Sequence, residues 1–355
     1  MDICKETPDS SKVIYTTTVD EITSAVKQLN TNKSPDAYGV TTEHVLHGGK
    51  VLLDLLTEIF NIILRMERVP NDLKLGTVTP VFKKKGSKNE CKNYRGITVL
   101  PVIGKLLEII LRTRLRDILD NSQNPLQRGF TAKSSPLNCA LIIEEFIRES
   151  RDLKKETFVA LLDAKAAFDV VNHHSLLRKL YNYGVDGSLW NLVCDFHNNA
   201  VSAVKWNGQL SDTFNVTQGV RQGGILSADL YKLYINDLLN RMQDSQIGGK
   251  VGNIPCSAPT CADDMSNLSN TEGDLQTLCN IAHDYSTMEK YKLQPTKSVV
   301  LPVNTKQSKS KDISYTWKIG QSEMPIVDCA THVGLVRTHL QTNSRCCNRG
   351  KYTKG

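Results

Sequence analysis

Thr157-Phe-Val-Ala-Leu-Leu-Asp163 and Pro259-Thr-Cys-Ala-Asp-Asp-Met265 decide how this chain is read. Each places acid directly after a short apolar run, the pattern of a buried strand. The first strand is predicted over Thr157–Leu162. The second covers about Ser257–Cys261 and resumes over Met265–Leu268, so Asp263 and Asp264 fall at the tip of a hairpin. A carboxylate ending a buried strand is costly unless paired, and clustered carboxylates suit a hard divalent cation. If the two strands lie side by side, Asp163, Asp263 and Asp264 form a metal site. An isolated Asp-Asp is by itself a plain turn, so the surroundings must carry the argument.

Around these stretches the chain predicts alternating helices and strands. Thr18-Val-Asp-Glu21 has the form of a capping box opening a helix to about Leu29. A helix apolar on several faces, and therefore expected to be buried, runs from Val51 to about Arg68 and stops at Pro70. Strands over Leu75–Phe82 and Gly96–Leu100 flank a basic loop. Helices follow over Ile103–Leu119 and Pro136–Glu149, the latter with Ser135 as N-cap. After the first acid come helices near Ser175–Tyr183 and Ser188–His197, then strands Val201–Trp206 and Thr213–Val216 around an Asn207-Gly208 turn. A Gln222-Gly-Gly224 turn opens a helix over Ser227–Met242, and a helix over Leu275–Tyr291 precedes a strand at Ser298–Leu301. Helices on one face of an antiparallel sheet, behind a basic lobe, make an α+β arrangement.

Bulk composition narrows the class. The chain has 355 residues, 40% hydrophobic and 23% charged, with a net charge of +7 that suits a polyanionic partner. No run of about 18 apolar residues predicts a membrane span. The N-terminus, Met-Asp-Ile-Cys-Lys-Glu, lacks the apolar segment of a secretion signal. The expectation is an intracellular protein, nuclear or cytoplasmic, not secreted. Its ten cysteines lack zinc-ligand spacing and read as reduced thiols. His173-His174 reads as a solvated turn.

Three further features bear on chemistry. The loop Lys83–Arg95 holds six basic residues against one acid, Glu90. It is either a solvated turn or a cover for a triphosphate, with Arg95 as a phosphate fork and Lys83 as a point charge. In Gly219-Val-Arg-Gln-Gly-Gly224, glycines permit close backbone approach to a flat ligand and Gln222 can reach a base or sugar edge. Phe168, five residues after Asp163, is either core or a ring that blocks a ribose 2′-hydroxyl.

Taken in order, these segments resemble the reverse transcriptases of non-LTR (LINE-like) retrotransposons. Lys92-Asn-Tyr-Arg-Gly-Ile-Thr98 is similar to the family's N-Y-R-P-I-S, and Leu126-Gln-Arg-Gly-Phe130 to its Q-x-G-F. Leu162-Asp-Ala-Lys-Ala-Ala-Phe-Asp-Val-Val171 is similar to L-D-x-x-K-A-F-D-x-V with a one-residue shift. Gly219–Ser227 resembles G-V-R-Q-G-C-x-L-S, Leu233–Leu238 resembles L-Y-I-N-D-L, and Ala262-Asp-Asp264 resembles (F/Y)-A-D-D. The Lys297 segment is similar to N-x-x-K-T, and Val333-Gly-Leu335 to Y-L-G.

The resemblance implies a right-hand polymerase fold. Residues 1–72 would be a helical extension leading into fingers, 73–305 fingers and palm, and 306–355 the start of an incomplete thumb. It implies that Asp163, Asp263 and Asp264 bind two Mg²⁺ ions, with Mn²⁺ a possible substitute and the Ala164 carbonyl a further ligand. Lys83 and Arg95 would contact the triphosphate, Phe168 would gate the sugar, Gln222 and Gly223 would line the nucleotide pocket, and Lys297 would protonate the leaving pyrophosphate. The reaction would be RNA-templated DNA synthesis from a primer 3′-hydroxyl, using deoxynucleoside triphosphates, as part of a retrotransposon polyprotein. A short thumb would grip the hybrid weakly. Cys261 stands where the family has an aromatic, and Gly224-Ile225 where it has Cys-Pro, which would loosen the turn. Asp229 and Lys232 stand where it prefers apolar residues, either exposed or marks of decay. The rival reading is a catalytically silent RNA-binding module derived from such an element.

Overall fold

The computed structural model describes residues 16–303 and 316–338. The segment expected to begin a thumb, 306–355, therefore falls outside the described residues except for 316–338. The chain divides into two compact units, one formed by residues 1–123 and 168–234, the other by 124–167 and 235–355. No helix among the described residues is long and apolar enough to cross a membrane.

The first unit opens with helices α1 (Val19–Val26), α2 (Thr42–Leu46) and α3 (Gly49–Met66). Strands β1 (Leu75–Phe82) and β2 (Tyr94–Val99) lead to α4 (Val102–Ser122). Thr18 caps α1 by accepting from Glu21 N–H at 3.2 Å, but the box stays open. The Glu21 carboxylate instead accepts from Thr17 Oγ1 at 2.6 Å and pairs with Arg114 at 3.1 Å. Helix α3 corrects the expectation of burial on several faces. Leu56, Phe60, Ile63 and Leu64 pack inward, whereas Val51, Leu55, Ile62 and Met66 stay exposed along one stripe. Hydrophobic periodicity marks faces that can be buried; only the partners available decide which one is.

Further along, the same unit holds α6 (His173–Asn182), α7 (Gly187–His197), β4 (Val201–Trp206), β5 (Gln209–Leu210) and β6 (Phe214–Asn215). Its sheet has the order β2-β1-β4-β5, with β6 also on β4. Strand β1 is antiparallel to β2 and parallel to β4. Asn207 and Gly208 both have positive φ, 49° and 81°, the backbone that a tight hairpin turn needs. His173 is not in a solvated turn. Asn172 caps α6 by accepting from Ser175 N–H at 2.9 Å, which turns His173 inward, where its ring meets His197 at 4.7 Å. Only His174 faces solvent.

The second unit holds α5 (Pro136–Asp152), β3 (Thr157–Leu162), the small hairpin β7 (Lys250–Val251) and β8 (Ile254–Pro255), then β9 (Thr260–Cys261) and β10 (Asp264–Ser269). Helix α8 (Ser227–Asp244) begins in the first unit and ends in this one. Helix α9 (Glu272–Met288), β11 (Val299–Val303) and the hairpins β12–β13 (Lys318–Ile319, Ser322–Glu323) and β14–β15 (Cys329–His332, Leu335–Thr338) complete it. The main sheet is antiparallel throughout, in the order β11-β3-β10-β9. Phe158, Val159 and Ala160 of β3 are fully buried, as are Leu275, Leu278 and Tyr285 of α9 packed against the sheet. Among the described residues, Cys91, Cys139, Cys256, Cys261 and Cys279 are free thiols.

Candidate active site

The two acid-bearing strands do lie side by side. Strands β3 and β10 pair with Met265 across from Leu162, and one further step of that register sets Asp264 opposite Asp163. Strand β9 returns beside β10, so Asp263 sits at the tip of the hairpin. Ala262, just before it, has a φ of 59°, an uncommon backbone for a residue with a side chain.

Asp163 is held from a third direction. Its N–H donates to Ser298 Oγ at 3.0 Å, and its carbonyl accepts from Gln294 N–H at 2.8 Å. The Gln294 side-chain amide also donates to the Asp163 carboxylate. Lys165 N–H reaches Lys292 O at 2.9 Å, so these bonds flank Ala164 and leave its carbonyl outside the ladder. Exposed Lys297 lies three residues beyond Gln294. Neither Gln294 nor Ser298 was singled out from the sequence. The position of Gln294 ahead of Lys297, in the segment similar to N-x-x-K-T, was the available signal.

Burial and the charges of Asp263 and Asp264 compound one another here. Burial first, then Asp263 and Asp163, raise the Asp264 carboxyl above the usual range. Burial and the same two carboxylates, Asp264 and Asp263, push the Cys261 thiol up. Among the described residues, no three carboxylate, imidazole or thiol side chains converge tightly enough to hold a metal ion. The Asp163 carboxylate is turned toward Gln294 instead. The donor set nonetheless fits a hard cation: carboxylate oxygens on rigid strands, in mutual repulsion that a divalent ion would relieve.

The first unit gathers the other candidate residues. The turn Gly219–Gly224 is stitched to its neighbours by backbone bonds: Gly219 N–H to Val171 O at 2.7 Å, Val220 N–H to Phe168 O at 2.8 Å, and Thr98 N–H to Gln222 O at 2.7 Å. Phe168 and Gln222 therefore meet at one place on the edge of β2. Phe168 is half-buried and stacks on Tyr231 with centroids 4.3 Å apart. Gln222 donates to Asp169 Oδ1 at 3.0 Å. Burial raises the Asp169 carboxyl despite that bond and the charge of Lys83. Lys83 donates to Lys92 O at 2.9 Å, and Arg95 is exposed on β2.

Three ionisable residues, buried Glu108 and His173 and half-buried Arg221, brace the turn, and none was expected. Glu108 of α4 accepts from Ile225 N–H and, at 3.2 Å, from Leu226 N–H, just ahead of α8. Arg221 donates to Lys74 O at 2.6 Å, and the His173 Nε2 lies 2.8 Å from Gly219 O. The turn with Gly224-Ile225 in place of Cys-Pro is thus capped by a carboxylate rather than left loose. Asp229 and Lys232 are neither exposed nor orphaned. Both are buried, 2.9 Å apart, and Arg112 pairs with Asp229 at 2.6 Å.

The histidine pair beneath the turn gives a pH signature. Burial lowers His173, and burial with the neighbouring His173 lowers His197 from 6.5 to about 3. His197 stays neutral in the folded chain down to about pH 3, while in the unfolded chain it takes up a proton below about pH 6.5. Stability is therefore expected to fall as pH drops from about 6.5 toward 3. Thermal melts of His197→Gln should show a shallower decline across that window; an unchanged slope would refute the assignment.

Comparison with known proteins places these features. The family model described as reverse transcriptase (RNA-dependent DNA polymerase) matches residues 82–316, more than half of the chain. The chain is 27% identical over 300 residues to the retrovirus-related Pol polyprotein from type-2 retrotransposable element R2DM of Drosophila melanogaster, covering 84% of this chain and 28% of that protein. It is 27% identical over 227 residues to the corresponding type-1 element R2 polyprotein of Popillia japonica, covering 63% and 32%. It is 28% identical over 222 residues to the probable RNA-directed DNA polymerase from transposon X-element of Drosophila melanogaster, covering 61% and 24%. The chain thus spans about a quarter to a third of the length of these relatives. Among solved structures, apo telomerase from Candida tropicalis truncated from its C-terminal domain matches with a TM-score of 0.50 at 15% identity, covering 81% of this chain and 60% of that one. That likeness concerns the fold alone, which is the right-hand polymerase fold.

Proposed function

The chain belongs to the reverse transcriptase (RNA-dependent DNA polymerase) family, and from that premise we propose that it copies an RNA template into DNA, extending a DNA primer with deoxynucleoside triphosphates as the polymerase portion of a retrotransposon polyprotein. The observation that carries the proposal is the register of β3 and β10, which sets Asp163 against Asp264 with Asp263 beside it. Reverse transcriptase domains use divalent metal ions. Here two Mg²⁺ ions, for which Mn²⁺ would substitute, would be held by Asp163, Asp263 and Asp264 with the Ala164 carbonyl. When bound, such ions lower the pKa of an attacking hydroxyl and neutralise charge on phosphate oxygens.

The remaining roles belong to the chain's own side chains. Arg95 forks onto the triphosphate and Lys83 adds a point charge. Gln222 and Gly223 line the nucleoside pocket. Lys297, exposed on the turn before β11, hands a proton to the departing pyrophosphate. Positioning and charge neutralisation supply most of the rate in such transfers. Template and primer are held mainly through phosphates, so binding weakens steeply with salt.

Phe168, half-buried and stacked on Tyr231, excludes a 2′-hydroxyl. Phe168→Ala is expected to lower the preference for deoxynucleotides over ribonucleotides about tenfold or more, read as the ratio of the two kcat/KM values. Unchanged discrimination would leave Phe168 a packing residue. The test of the whole reading is primer extension on an RNA template with Mg²⁺, with Asp263→Asn as control. Hybrid binding without extension by the wild type would replace the enzyme with a silent RNA-binding module.

A further inference from the structure

The segment Leu126–Phe130 is one of the stretches similar to the family's motifs. In the second unit it runs alongside β9. Arg128 N–H donates to Thr260 O at 2.8 Å, and Thr260 N–H donates to Leu126 O at 2.9 Å. Gln127 is 1% exposed. Its Oε1 accepts from Ala262 N–H at 2.9 Å and from Gly129 N–H at 2.8 Å, and its Nε2 donates to Ala262 O at 3.3 Å. One side-chain amide thus grips both peptide groups flanking Ala262, the residue that leads into Asp263. Ala262 holds a φ of 59°, a left-handed conformation that costs a residue with a Cβ roughly 1–2 kcal/mol. Something must hold it there. Gly129 fits the same purpose, because a Cβ on it would stand 2.1 Å from Ala262 N.

We propose that Gln127 is a positioning residue for the acid pair: its amide locks Ala262 in the left-handed turn and thereby fixes the aim of the Asp263 and Asp264 carboxylates toward a divalent cation. A carboxamide supplies both an acceptor and a donor here without charge. Glutamate would lose the bond to Ala262 O and add a negative charge beside two others. Asparagine is one methylene too short. The inference rests on the reading of Asp263 and Asp264 as metal ligands.

The test uses the whole chain and titrates Mn²⁺ alone, followed by its paramagnetic signal, before any turnover is measured. Gln127→Met keeps the volume and removes every bond to Ala262. It is expected to weaken Mn²⁺ binding roughly 10–100-fold, the usual loss when a group orienting a metal ligand is removed. The Mg²⁺ concentration for half-maximal primer extension should rise in parallel, while KM for the deoxynucleotide stays within about twofold. A folded Gln127→Met with wild-type Mn²⁺ affinity would overturn the proposal. Should Gln127→Met not fold, Gln127→Asn, polar but out of reach, decides by the same titration; loss of fold in both would make Gln127 a folding residue and overturn it too. A wild type that binds Mn²⁺ but extends no primer counts against the polymerase reading and leaves the Gln127 comparison standing.

Discussion

Asp264→Asn is expected to cut the single-turnover rate of primer extension by about 100- to 1,000-fold, the scale of losing a key charge-stabilising group, and to raise the melting temperature of the metal-free chain at neutral pH. The two effects point in opposite directions for one reason. Burial and the charges of Asp263 and Asp163 raise the Asp264 carboxyl in the folded state. Its ionised form at pH 7 is therefore a strain on the fold, and asparagine removes it. A group with a raised folded pKa costs stability above that pKa and costs nothing once pH falls below its unfolded value. The stabilising gain from asparagine should accordingly vanish near pH 3–4. A residue with only a structural role would lose stability together with activity, so a lowered melting temperature at pH 7 would refute the account.

Gly223→Ala is the second large effect. Gly223 has a φ of 132°, and a Cβ there would stand 2.2 Å from Thr98 O. Carbon atoms do not approach carbonyl oxygens that closely. The turn must move off β2, breaking the bond from Thr98 N–H to Gln222 O. The φ penalty alone is about 1–3 kcal/mol. KM for the deoxynucleotide is expected to rise tenfold or more, with a lower urea midpoint. Gly224→Ala offers the internal comparison. Its Cβ would meet chiefly Ser227 Oγ, at 2.5 Å, a side-chain atom that can rotate away. It should change KM far less, which also fits the cysteine that the family carries there. Equal effects at 223 and 224 would mean that the close pass over β2 is not the constraint.

The contrast between these sites explains what could be read from sequence. Asp163 and the Asp263–Asp264 pair were legible because each ends an apolar run of strand length, and a strand of that kind has few places to go. Their side-by-side placement followed once both strands were assigned to one antiparallel sheet. Glu108, Arg221, His173, Gln294 and Ser298 were not legible. Each acts on a backbone or side-chain group far away in sequence, Glu108 on Ile225 and Ser298 on Asp163 among them. Local periodicity carries no record of such pairings, and a glutamate inside an apolar helix reads as a solvated residue until its acceptor role is seen. His173 failed for a related reason: the cap supplied by Asn172 sets which of two adjacent histidines turns inward. The exposed stripe of α3 shows the same limit from the other side.

The Asp229–Lys232–Arg112 cluster makes three positions interdependent. A lone charge in a packed helix face costs several kcal/mol, whereas the matched set largely compensates itself. The side chains at 229 and 232 answer one another at 2.9 Å, and Arg112 closes on the same carboxylate at 2.6 Å. Three positions on two helices therefore stand or fall together: removing Asp229 would leave two cations without their shared partner.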